Sequence, residues 1–284
     1  MSPNSASSTA VLFPGQGSST DEAGPIVARH APDLLEHAIE LLGEDPFDRA
    51  AESTRFAQPA IFCASLAGWR ALDLDHQPIA FAGHSLGELS ALAAAGAIEA
   101  IDALELVVLR AALMDEAGEA TPGGGMLALL KADVPAAYEL AERHQVVVAN
   151  DNAPGQVVLS GDSDRLRELA GEARELGLRA MALGVSGAFH SPAMEPARSP
   201  FAVALAHTEI RDTEIPVFSG LTASRFSDVR EELVAGLVNP VRWRETMSAL
   251  RRFGADAFVD VGPDRVLERL VARNPAEVRD VAAA

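Results

Sequence analysis

The chain is short of the features that would tie it to nucleic acid, to a bilayer or to an oxidising compartment. Lysine is almost missing: Lys131 is the only one, and 23 basic side chains stand against 41 acidic ones, for a net charge of −18. Phosphate backbones are bound through a basic footprint, so this balance argues against a nucleic-acid partner and disfavours an anionic membrane surface. No uninterrupted apolar run approaches the roughly 20 residues of a membrane-spanning helix. The one cysteine, Cys63, rules out an internal disulfide and fits a reducing cytoplasm. It sits in the apolar run AIFCASLAGW and reads as core. The opening MSPNSASS has neither the basic start nor the apolar stretch of a signal peptide and is expected to be disordered over residues 1–8. No cluster of histidine, cysteine and carboxylate has metal-ligand spacing.

What is present suits a folded α/β protein. Apolar residues make up 48% and charged residues 23% of 284 positions, enough for a full hydrophobic core. AVLF (10–13) reads as a buried strand ending in the glycine-rich turn PGQGS, with helical segments near 31–42 and 58–72. PIAFAG (78–83) is a second strand that runs at once into a helix, and a long helix covers 99–117. Strands alternating with helices indicate a parallel sheet with helices on its faces. From the break TPGGG the texture changes: MLALLK, a helix, QVVVAN and QVVLSG around the turn NDNAPG, a helix over 164–177 and LRAMALGVS follow in the order β-α-β-β-α-β. That order describes a ferredoxin-like subdomain, 121–187, inserted in a larger α/β domain formed by 1–120 and 188–284.

The strongest chemical signal is GHSLGE (83–88), placed directly between an apolar strand and a helix. This is the setting of a nucleophile elbow: Gly83 and Gly87 let the turn close, Ser85 projects from it, and the helix start aims backbone N–H groups at developing charge. The bland alternative is a serine capping a helix. A serine nucleophile needs a base. His84 adjoins Ser85, but neighbours in a tight turn point apart, so it reads as a packing or hydrogen-bonding residue. His190, in the constrained loop GVSGAFHSPAM, is the candidate base, with a satisfied structural histidine as the alternative.

Helix 99–117 carries one anomaly. Leu106, Val107, Leu113 and Met114 share a face, and Arg110 falls within that stripe. A buried guanidinium needs an anion. Spacing alone favours an internal ion pair or a snorkelling side chain, over a fork that grips a substrate carboxylate.

Taken together the segments FPGQGS (13–18), QPA (58–60), GHSLGE (83–88), LRAALM (109–114), NAPGQVVLSG (152–161), AFHSPAM (188–194), NPVRW (239–243) and DVGP (260–263) resemble the malonyl-CoA:acyl-carrier-protein transacylase family, including stand-alone acyltransferases of polyketide synthases. The resemblance covers about residues 10–270. It implies a hydrolase-like α/β fold with a ferredoxin-like subdomain, Ser85 as the acylated serine and His190 as its base. It further implies an oxyanion hole from the backbone N–H groups of Gln16 and Leu86, Arg110 on the free carboxylate of malonate, and a main-chain carbonyl near Gly236 orienting His190. Phe189 looks like the residue of malonyl-selective members. The implied partners are malonyl-CoA and a phosphopantetheinylated acyl carrier protein, with no bound cofactor or metal, in a cytoplasmic monomer. The chain departs from the family at Ser19-Thr20-Asp21-Glu22, where the loop looks shortened, at Gly236, and at Asp264.

Two rival readings remain: an editing thioesterase on the same fold, against which Arg110 argues, and a non-catalytic docking subunit, against which the intact Ser85, His190, Arg110 and Gln16 argue. For docking an acidic carrier protein, the densest basic cluster is Arg242, Arg244, Arg251, Arg252, Arg265, Arg269 and Arg273, with a solvated mixed-charge surface as the equal alternative.

Overall fold

Residues 8–17, 23–185 and 187–275 are described by the computed structural model, so the polar tail (Ser8 apart) and the segment Ser19–Glu22, where a shortened loop is expected, lie outside the described residues. Strand β1 (Thr9–Phe13) is buried along its whole length, as a strand covered on both faces must be. It pairs in parallel with β2 (Ala80–Gly83) on one side. Helices α1 (Gly24–His30), α2 (Pro32–Leu42), α3 (Pro46–Arg49) and α4 (Thr54–Ala71) fill the crossover between them, and α5 (Gly87–Ala94) and α6 (Ala100–Ala120) follow β2.

The second sheet then forms from β3 (Gly124–Leu130), β4 (Val147–Ala153), β5 (Gln156–Asp162) and β6 (Arg179–Ala182), with α7 (Val134–Arg143) and α8 (Ser163–Glu175) as its helices. It is antiparallel, in the order β4-β5-β3-β6, the arrangement of a ferredoxin-like unit. The chain returns through α9 (Glu195–His207), β7 (Val217–Ser219), β8 (Ser224–Arg225), α10 (Val229–Ala235), α11 (Trp243–Phe253), β9 (Ala257–Asp260) and α12 (Val266–Arg273). The first sheet runs β8-β7-β2-β1-β9, parallel except at β8. The expected α/β architecture is therefore present: a parallel-sheet unit with an inserted ferredoxin-like one.

Phe13, Trp69 and Phe81 meet edge to face at 5.0–6.5 Å between β1, β2 and α4. Cys63 is fully buried in that core, and burial pushes its thiol up to about 12. The two sheets are stitched together by the NPVRW segment. Val241 donates to Ala149 O at 2.8 Å and accepts from Asp151 N at 2.9 Å, and Arg244 holds the buried Asp151 carboxylate with two nitrogens.

Several sequence expectations need correcting. Helix α4 begins at Thr54 rather than near 58, because Ser53 caps it by accepting from Arg55 N, and Pro59 lies inside the helix rather than at its start. The turn expected over NDNAPG is only Pro154-Gly155, with Gly155 at φ +74°. Asn150, Asp151 and Asn152 look like turn residues but are buried in β4, where irregular pairing turns them towards partners. The last strand of the unit stops at Ala182, well short of Ser186, which is outside the described residues. Helices α1, α3, α9, α10 and α12 fall outside the helical segments expected from the sequence, being short and, in α1, α3 and α9, containing proline.

Candidate active site

The site is built on the sharp turn between β2 and α5. Only glycine fits on either side of Ser85: a Cβ on Gly83 would lie 1.9 Å from the Gly87 carbonyl carbon, and one on Gly87 would lie 2.0 Å from Phe13 O. The turn is locked by His84 N donating to Phe13 O at 2.9 Å and by Glu88 N donating to Ser85 O at 3.0 Å. Ser85 itself is forced into left-handed backbone at φ 54°, a conformation that costs a non-glycine residue about 1–2 kcal/mol. The Leu86 N–H, at the start of α5, has no hydrogen-bond partner among the described residues. A backbone donor at a helix start is available to an anion.

His190 reaches Ser85 from the loop before α9. Its Nε2 lies 2.8 Å from Ser85 Oγ, while Nδ1 faces two carbonyl oxygens, Gly236 O at 2.8 Å and Asn239 O at 3.2 Å. Carbonyls only accept, so Nδ1 carries the proton and Nε2 presents its lone pair to the serine O–H. The ring is 5% exposed. Burial first, and then the positive charge of Arg110, lower its basicity to about 4, so the imidazole is neutral at pH 7. His84 points away from the serine as expected, with Nε2 2.8 Å from Asn152 Oδ1 and its ring 5.4 Å from Trp243.

Arg110 projects from α6 into the same place. It is 6% exposed, donates from Nη1 to Gln58 Oε1 at 2.6 Å and from Nη2 to Ser85 Oγ at 3.0 Å. No carboxylate of the described residues forms an ion pair with it, which removes the internal ion pair favoured from spacing alone. Burial lowers the guanidinium to about 10, so it remains a cation at neutral pH. The nearest acidic influence is Glu88 on α5. That carboxyl is buried, accepts from Gly220 N at 2.7 Å, and is raised to about 7 by burial. A cavity of about 10 Å³, roughly one water, lies between Glu88, Ser85, Arg110 and His190.

Ser85, Arg110 and His190 also border a cleft of about 1000 Å³ between the two sheets. Its walls include Gln16, Gln58, Arg110, Asn150, Phe189 and Arg273. Gln16 is fixed by its Nε2 donating to Thr54 Oγ1 at 2.9 Å, and the Phe189 ring packs against Gly187. Of the sequence candidates, Ser85, His190, Arg110, Gln16 and Phe189 border one cleft, and Gly236 lies behind His190. Leu86 follows Ser85 in the turn. Three neighbours carried no role in the sequence reading: Gln58, which aims Arg110; Asn239, the second carbonyl on His190; and Glu88. The motifs QPA, NPVRW and GHSLGE contain them, but nothing in residue type says which atom faces the site.

Of the seven arginines considered for docking, four form ion pairs within the chain. Arg242, Arg244, Arg265 and Arg269 pair with Glu245, Asp151, Glu268 and Asp264, and Arg251 stacks on Phe258. Arg273 differs, bordering the cleft and donating to Gln156.

The family model described as acyl transferase domain matches residues 31–284. The chain is 36% identical over 297 aligned positions to a malonyl CoA-acyl carrier protein transacylase of Bacillus subtilis, covering 97% of this chain and 93% of that one. It is also 36% identical over 280 positions to the polyketide biosynthesis protein ThaF of Burkholderia thailandensis, covering 93% of this chain but only 24% of that larger protein. Among solved structures, a malonyl-transacylase in complex with its type II polyketide synthase acyl-carrier protein (PlMCAT with AntF) matches with a TM-score of 0.84 at 32% identity. That match covers 94% of this chain and 93% of the other.

Proposed function

The chain belongs to the acyl transferase domain family, and we propose that it moves a malonyl group from coenzyme A to the phosphopantetheine thiol of an acyl carrier protein, by way of an ester on Ser85. The observation that carries this reading is the Ser85–His190 contact at 2.8 Å beside a buried arginine that has no acidic partner among the described residues. The reaction serves fatty-acid or polyketide assembly, and the names of the relatives include both a general transacylase and polyketide proteins.

In the first half-reaction the thioester carbonyl lies over Ser85 with its oxygen towards the backbone N–H groups of Leu86 and Gln16. His190 Nε2 takes the serine proton as Oγ attacks, and the imidazolium that forms is held through Nδ1 by the Gly236 and Asn239 carbonyls. The oxyanion collapses, the C–S bond breaks, and the proton passes from His190 to the departing thiolate. In the second half-reaction the carrier-protein thiol gives its proton to His190 and attacks the ester, and Ser85 recovers its hydrogen. Each step uses groups of the chain and of the two thiols, so we assign no cofactor or metal.

Arg110 holds the free carboxylate of the acyl group in a bidentate pair, and Phe189 limits bulk beside it. This geometry disfavours an editing thioesterase for uncharged chains, which has no anion to offer a buried guanidinium. By our division the inserted unit, residues 121–187, supplies one wall of the cleft, and the larger unit supplies the reacting groups. We also assign a monomer, active in the cytoplasm. No helix among the described residues is long and apolar enough to cross a membrane.

The test is transfer of labelled malonyl from malonyl-CoA to a holo carrier protein. Label should appear on the holo form and not on the apo form, which lacks the thiol. Hydrolysis to malonate without transfer would favour the thioesterase.

A further inference from the structure

The mechanism leaves one contact unexplained: the hydrogen bond from Arg110 to the nucleophile itself. Nη2 donates to Ser85 Oγ at 3.0 Å, so a cation occupies a lone pair of the oxygen that has to attack. The same guanidinium lies beside an imidazole that must become positive as it takes the serine proton. The charge opposes protonation of His190, and the hydrogen bond ties up a lone pair of Oγ for as long as the guanidinium has no other anion to hold. The charged or titratable neighbours of His190 are Arg110 on α6, His84 in the nucleophile turn, and Glu88 on α5 across the small cavity. Of these, Arg110 is the largest charge acting against protonation, second only to burial. Gln58 steadies the guanidinium from its other side through Nη1 at 2.6 Å, leaving Nη2 as the arm that can change partner.

We propose that the free carboxylate of the incoming acyl group switches the nucleophile on, by drawing Nη2 of Arg110 away from Ser85 Oγ and cancelling the charge that opposes the imidazolium. The inference rests on the malonyl-transfer reading and goes beyond it: the carboxylate acts as an activator of the serine and its base as well as a handle. It is unchanged at the end. The serine proton passes to His190 and on to the leaving thiolate, an Oγ–C bond replaces the C–S bond, and only the partner of the guanidinium differs. Discrimination between malonyl and acetyl groups then falls in the rate of acylation more than in binding.

The experiment supplies the carboxylate separately from the acyl group. Single-turnover acylation of Ser85 by saturating acetyl-CoA is followed at pH 8 with and without sodium formate, against sodium chloride at equal ionic strength. Formate should speed acetylation saturably, on the order of 10-fold, as cancelling one unit charge beside the imidazole implies. It should also compete with malonyl-CoA. In Arg110→Ala, acetylation should start faster than in the natural protein and ignore formate.

A simple clamp predicts competition with malonyl-CoA and no acceleration of acetylation, and that result overturns the proposal. So does the absence of both effects, because the proposal requires a guanidinium that a small carboxylate can recruit. The arms with the natural protein decide the question even if Arg110→Ala does not fold. A malonyl adduct on Ser85 in the same assay keeps the two readings apart: its absence would remove the proposed function, whereas its presence without a formate effect removes only this inference.

Discussion

Ser85 and His190, whose side chains meet at 2.8 Å, are both held in left-handed backbone, at φ 54° and 55°. Neither is glycine, so each costs about 1–2 kcal/mol that the surrounding packing has to offset. For Ser85 the offset comes from the interlocked Gly83 and Gly87 and from β1. For His190 it comes from the fixed ring and from Ser191, whose Oγ donates to Ala188 O at 2.5 Å. The strain points both side chains at the same spot.

Replacing the base is therefore expected to leave the fold intact while removing proton transfer. His190→Ala should slow acylation by about 10²- to 10⁴-fold, the usual contribution of a general base. Stopped-flow acylation with malonyl-CoA measures it. A loss below tenfold would mean that another group takes the serine proton.

The glycines that shape the turn should be intolerant of a single methyl group. A Cβ on Gly87 would sit 2.0 Å from Phe13 O, with β1 buried behind it and unable to retreat. Gly87→Ala should lose at least about 1–3 kcal/mol of stability, as overpacked cores do, and displace Ser85. Thermal unfolding and acylation rate together check this. Gly171→Ala is the control, since a Cβ there meets nothing within 4 Å.

Much of this site was legible in the sequence because its motifs encode backbone. GHSLGE specifies an elbow through its two glycines, and the strand-to-helix context does the rest. Arg110 was legible as an anomaly, but its partner was not: spacing cannot tell an internal carboxylate from an external one, and the absence of an ion pair among the described residues emerged only from the fold. The Asn150–Asn152 stretch was misread for a related reason. Three polar residues before Pro-Gly look like a loop until Arg244, His84 and the cleft are brought against them from elsewhere in the chain.

Removing Arg110 should exchange one specificity for another. Malonyl and acetyl differ only by a carboxylate, and losing one partner of a desolvated pair costs about 2–5 kcal/mol, or about 30- to several-thousand-fold. Arg110→Ala should lose malonyl transfer by such a factor while acetyl-CoA becomes a comparable or better substrate. The readout is kcat/KM for both thioesters. A variant that keeps its malonyl preference would make Arg110 structural.

Glu88 should leave a signature in the pH dependence of stability. Its carboxyl is raised to about 7 from an ordinary 4.5, so the folded state holds the proton more tightly than the unfolded chain. The stability this contributes is present below about pH 4.5 and is lost as pH rises through 7, roughly 3 kcal/mol in all. His190 works in the opposite sense: lowered to about 4, it removes stability as pH falls below its unfolded value near 6.5. Between about pH 4.5 and 6.5 the two contributions oppose and nearly cancel, so Glu88→Gln should uncover a rise in Tm with pH across that interval, the part due to His190. An unchanged slope would mean that Glu88 is already ionised across that range.

The central claim is that Ser85 carries the malonyl group, and intact-mass spectrometry with peptide mapping after mixing with malonyl-CoA tests it most directly. The account predicts one malonyl adduct per chain, on the peptide containing Ser85, and none in Ser85→Ala. An adduct that persists in Ser85→Ala, or a chain that takes up no malonyl at all, would contradict it.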